Sequence, residues 1–244
     1  MIECDNLSRF LFLREVQFMI RNRRLRLLAS CSVFVLSTFA SLPTAAQDAG
    51  NGKEVYGPCA ACHGDAGQGG KKGEYPRIAG QRPGYLEQQL RLFRDRKRIN
   101  FPMFPTTEHR DFPDKDLLDV VAYVSSIKLS TKLPEFKETD DALTRLLAME
   151  KVMIIPRAEG DVEKGKVHYH EHCQNCHAKD GMGRSDFPML VGQYTNYLMK
   201  QMKAYRAKER PHDEDVTGGI LDRFSEEDLQ DILAYLTSIQ PKDN

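Results

Sequence analysis

Apolar positions along the chain recur with helical periodicity rather than strand alternation. Leu86, Leu90 and Phe93 fall three and four apart, which builds one buried helix face, and a basic arm from Arg94 to Arg98 ends that segment. A second helix is predicted from about Pro113, with Leu117, Val120, Val121 and Val124 on one face and the proline suited to the first turn. Between the two, Phe101-Pro102-Met103-Phe104-Pro105 reads as a proline-broken extended stretch. Upstream, a short helix over Gly52–Tyr56 is followed by a glycine- and lysine-rich loop from His63 to Gly73. The whole pattern then returns. Shifting 76–128 by 112 lays it on 188–240 without a gap: Tyr85-Leu86 on Tyr197-Leu198, Gln89 on Gln201, Arg98 on Arg210, Asp116-Leu117 on Asp228-Leu229. The chain is therefore two copies of one all-α unit. The second closing helix carries Leu229, Ile232, Leu233 and Leu236 on one face, with Ser225 and Asp228 forming a capping box at its start.

Two segments stand outside the repeat. Residues 129–159 form a connector: Thr131 to Asp141 is charged linker, Leu143, Leu146, Leu147 and Met149 have helical spacing, and Met153-Ile154-Ile155-Pro156 is an apolar strap, so the segment should pack between two domains at 47–128 and 160–244. Residues 1–46 combine a basic cluster from Arg21 to Arg26, an apolar run from Leu27 to Ala40 and small residues up to Ala46, the layout of a secretory signal peptide, with Met19 the better-proportioned start. Leu28-Ala29-Ser30-Cys31 has the look of a lipoprotein box, but most of the apolar run follows Cys31 and would survive that cut. An uncleaved signal would serve as a short membrane anchor. Export places the protein in the periplasm.

Lysine plus arginine and aspartate plus glutamate number 35 each in the 244 residues, so no strong field draws the chain to nucleic acid. Loss of 1–46 removes six arginines against three acidic residues, leaving a mildly acidic chain that would meet partners through small complementary patches. It also removes Cys4 and Cys31. The remaining cysteines all lie in Cys59-Ala60-Ala61-Cys62-His63 and Cys173-Gln174-Asn175-Cys176-His177.

On a helical turn a C-x-x-C-H run points two thiols and an imidazole the same way. That arrangement suits a c-type haem, whose vinyl groups take the thiols of Cys59 and Cys62, or Cys173 and Cys176, while His63 or His177 binds the iron. One zinc shared by the four thiols, or two small disulfides, would use the same cysteines. Neither explains why a His follows both pairs, nor why each pair heads its own repeat. Two covalent haems also supply the apolar mass that a unit of about 80 residues lacks.

The tandem C-x-x-C-H units, each with Pro-x-x-x-Gly-Gln-x-x-x-Tyr-Leu, resemble the di-haem cytochromes c of the cytochrome c4 type. That resemblance implies two class I cytochrome c domains with their haems near the domain interface. It also implies transfer of single electrons between respiratory redox partners, and carbonyls of Pro76 and Pro188 that accept from the rings of His63 and His177. The family's sixth iron ligand is a Met between the long and closing helices, a region that holds Met103 in the first unit, with His109 as a rival. In the second unit the matching position is Asp215 and the last methionine is Met202, which leaves His212 as the candidate for the second iron. Met182, Met189, Met199 and Met202 read as core residues, and His168, His170 and His172 as solvent-facing. The connector is long for this family. An open second haem would suit a haem enzyme or small-ligand sensor, acting for instance on an inorganic sulfur donor. A docking role for the connector would suit a subunit of a larger oxidoreductase complex.

Overall fold

A computed structural model describes residues 47–108, 111–210 and 219–240. The expectations for 1–46, His109, His212 and Asp215 lie outside the described residues. Those residues belong to one compact unit of the chain, they form no strand beyond isolated bridges, and none of their helices is long and apolar enough to cross a membrane.

The first half contains α1 (Ala49–Val55), α2 (Gly57–His63), α3 (Pro83–Arg94) and α4 (Asp114–Ser126). The connector carries α5 (Ala142–Glu150), and the second half α6 (Val162–His172), α7 (Gln174–His177), α8 (Thr195–Arg206) and α9 (Glu226–Ser238). In each half the first helix crosses the closing helix at a glycine. A Cβ on Gly52 would lie 2.0 Å from the Asp119 carbonyl oxygen, and one on Gly165 would lie 1.8 Å from that of Asp231. Only a residue without a side chain allows that approach. The crossing is then tied down: the Asp48 N–H donates to Asp119 Oδ1 at 2.8 Å, and the Asp161 N–H to Asp231 Oδ1 at 2.8 Å. Asp48 and Asp161 also cap α1 and α6 with their own side chains.

Around these crossings the predicted faces are buried: Leu117, Val120, Val121 and Val124 with Leu86 and Phe93 in one half, Leu229, Ile232, Leu233 and Leu236 with Leu198 in the other. The capping box of Ser225 and Asp228 is present at the head of α9. The proline-rich stretch differs from its prediction. It is a 3₁₀ helix, Phe101–Thr106, because Pro102 sits in the first turn, where no N–H is needed, and its fixed φ suits a helix as well as an extended chain. The connector differs too. Its strap is buried at Val152, Met153 and Ile155 and paired with Ser130 and Gln240, but α5 is not packed between the domains. Leu143 is 61% exposed, and Leu146, Leu147 and Met149 also face water.

The two halves meet through a polar seam that repeats itself. The Gln81 amide donates to the Met189 carbonyl at 3.0 Å and accepts from the Met189 N–H at 2.6 Å. The Gln193 amide donates to the Arg77 carbonyl at 2.8 Å and accepts from the Arg77 N–H at 3.0 Å. Further along, Arg98 donates to Gln89, Tyr197 and Gln201, while Arg210 donates to Gln201, Tyr85 and Gln89, all at 2.7–3.2 Å. Burial would raise the Tyr85 phenol, but the guanidinium groups of Arg210 and Arg98 outweigh it and hold the group below its ordinary value.

Candidate haem sites

Helix α2 presents Cys59, Cys62 and His63 on successive turns; in the second half Cys173 closes α6 and Cys176 and His177 lie on α7. A tyrosine locks the backbone just after each motif. Tyr56 donates its hydroxyl to the Gly64 carbonyl at 2.5 Å, and Tyr169, fully buried, to that of Ala178 at 2.6 Å. Gly64 and Ala178 both have positive φ, 78° and 64°, so the chain turns sharply away from the motif at the same place in each unit.

The ring of His63 is buried, and its Nδ1 lies 2.9 Å from the Pro76 carbonyl oxygen; His177 Nδ1 lies 2.9 Å from that of Pro188. A carbonyl can only accept, so both Nδ1 atoms carry the proton and Nε2 is the ring nitrogen with a lone pair for a metal. Burial also holds His63 below its ordinary pKa, partly offset by the bond to Pro76, and so keeps the ring neutral. All four cysteines are free. Burial raises the Cys59 thiol to about 11 and the Cys173 thiol to about 12, unlike the low-pKa thiolate of a redox dithiol. Among the described residues no cluster of His, Cys, Asp and Glu could hold a metal ion by itself, so the two pairs do not converge on a shared zinc. The donor set fits a haem held by two thioethers and one imidazole in each unit.

Met103 lies half-buried in the 3₁₀ helix, where its carbonyl accepts from the Thr106 hydroxyl at 3.0 Å and the Thr107 hydroxyl at 2.9 Å. In the second unit Met189 is buried, and Met182, Met199 and Met202 pack against the core. The three histidines before the second motif are half-buried and partnered rather than fully solvent-facing. His170 bridges Gln174 and the Tyr235 hydroxyl, both at 2.9 Å, and His168 and His172 stand edge-on to Phe224. Tyr56 and Tyr169, which fix the motif ends, and the seam residues were not singled out as site residues from sequence. The signal for the seam was there: polar residues at matched positions of both repeats.

Two all-helical units, each with paired thiols and a proline-oriented imidazole, define a tandem c-type haem protein. The chain belongs to the cytochrome c family, whose model matches residues 49–128 and 162–240. Cytochrome c4 of Pseudomonas aeruginosa is 29% identical, covering 85% of this chain and 96% of its own length. A protein of Stutzerimonas stutzeri named thiosulfate dehydrogenase electron acceptor is 30% identical, covering 76% and 80%. The crystal structure of reduced cytochrome c4 from Pseudomonas stutzeri superposes with a TM-score of 0.60 at 24% identity, covering 79% of this chain and 98% of that one. The protein is a di-haem, electron-carrying cytochrome of the c4 type with two covalent haem c groups.

Proposed function

We propose that the chain is exported, loses residues 1–46, and shuttles single electrons in the periplasm between a dehydrogenase and a respiratory acceptor. Cys59 and Cys62 would hold the first haem, with His63 and Met103 binding its iron; Cys173, Cys176 and His177 would hold the second. When bound, each haem supplies a one-electron ferric/ferrous couple. The chain's own residues do the rest. The carbonyls of Pro76 and Pro188 fix the rings and strengthen them as ligands. Tyr56 and Tyr169 stiffen the motif ends, and the polar seam sets one half against the other. The observation that carries this reading is the same motif-plus-proline geometry, at 2.9 Å, in both units. The relative named as a thiosulfate dehydrogenase electron acceptor supports a donor that oxidises inorganic sulfur compounds.

A second reading gives the second haem a catalytic or ligand-binding role, because no methionine follows Met202. Mixing the pure protein with such a dehydrogenase and its substrate tests the first reading: reduction of both haems should need the dehydrogenase. Steady turnover of a sulfur substrate by the protein alone would overturn it in favour of the second. Mass spectrometry of periplasmic protein should find a chain starting near Gln47 with two haem masses.

A further inference from the structure

We infer that Arg77 is an electrostatic tuning residue that sets the first haem's reduction potential apart from the second's, an inference resting on the di-haem reading above. Arg77 directly follows Pro76, whose carbonyl holds His63, and is only 3% exposed. Its guanidinium faces oxygens of neutral groups. Nε donates to the Gln68 carbonyl at 3.3 Å, Nη2 to that of Val152 at 3.2 Å, and Nη1 to that of Gly192. The Tyr194 ring lies 5.4 Å from Cζ. No carboxylate pairs with it among the described residues.

The matched position in the second unit is Met189, which follows Pro188 in the same way. Structure as well as sequence makes the two positions equivalent, since Gln193 grips the Arg77 backbone as Gln81 grips that of Met189. The halves therefore differ at this point by one buried positive charge. Arg82 does reach across to the Met182 carbonyl at 2.8 Å, but it is half-exposed, and water and salt weaken its field. Arg77 has no such screening.

Taking one electron from a redox partner converts ferric to ferrous iron and lowers the charge at the site by one, with no proton bound. A fixed cation in a low-dielectric setting opposes the ferric state more than the ferrous, and so raises the potential beside it. The three carbonyl bonds hold the charge still, and they bind the Gln68 loop, the connector strap and the second unit together at that point.

Spectroelectrochemical titration of the full-length, haem-loaded protein tests this. In Arg77→Met the midpoint potential of the first haem, the one that Met103→Ala lowers, should fall so that the electron distribution between the haems changes at least tenfold, about 59 mV for a one-electron couple, with the second haem's potential moving much less; a fall confined to the second haem would overturn the inference. Arg77→Lys, which keeps the charge and loses the fork, should stay close to the native values. Unmoved potentials in Arg77→Met, or equal shifts in both variants, would overturn the inference, the latter because packing alone would then explain them. Should Arg77→Met misassemble, Met189→Lys in the native background must raise the other potential, and no change there is equally fatal. Haem count is read first on the unaltered chain. Fewer than two haems would defeat the di-haem reading, whereas two haems with unmoved potentials would defeat only the role of Arg77.

Discussion

Met103 is held by its neighbours on both sides: Pro102 and the 3₁₀ turn fix its backbone, and two threonine hydroxyls secure its carbonyl. A thioether ligand favours ferrous iron. Met103→Ala should therefore abolish the thioether-to-iron charge-transfer band and lower one potential, leaving the other nearly unchanged. A spectrum indifferent to the change would shift the assignment to His109. The second haem should differ from the first, and His212→Ala should convert it from low to high spin only if that imidazole is bound. At this scale the sequence was most legible where spacing itself is the chemistry, as in C-x-x-C-H. It was least legible for Arg77. A lone arginine in a helical protein reads as a surface residue until the fold shows that its partners are carbonyls from three segments far apart in the chain.

Among the elements, the helices were legible because a buried stripe dictates periodicity, and both glycine crossings lie inside such stripes. The charges at those crossings make a testable difference. The Lys115 ammonium, with the Asp48 N–H and the Asn51 amide, holds the Asp119 carboxyl down at about 2. A depressed carboxyl contributes stability that is complete above the ordinary aspartate range and is lost as pH falls through its folded value. The first half should thus lose stability in thermal melts between about pH 4 and 2, and Asp119→Asn should flatten that acid limb while weakening the fold at pH 7. Helix α5 was misread because its leucine spacing matches that of a buried helix, and spacing alone cannot say whether a partner exists. Leu143→Ser should change stability by no more than about 0.5 kcal/mol. Ile155→Ala, in the buried strap, should cost about 2–5 kcal/mol in denaturant titrations.

For the molecule as a whole, the gapless repeat foretold two like units but not how they join, because glutamines, tyrosines and arginines at matched positions look the same on a solvated face as in a seam. The fold supplies the distinction: Gln81 and Gln193 each complete a buried backbone donor and acceptor across the junction. Replacing both by Ala leaves those groups unsatisfied, at about 1–3 kcal/mol each. The expected result is two separate calorimetric transitions where the native protein shows one.

The reciprocal exchange at that seam, in which each half offers the other the same glutamine and receives the same in return, is the contact pattern of an isologous dimer. The protein is in that sense a dimer written on one strand, with the connector raising the local concentration of each half for the other. A protease cut within exposed α5 should consequently leave two fragments that elute together and part only in denaturant. Once such halves need not be identical, each is free to diverge, and a symmetric pair of equal sites can become an ordered pair with a direction.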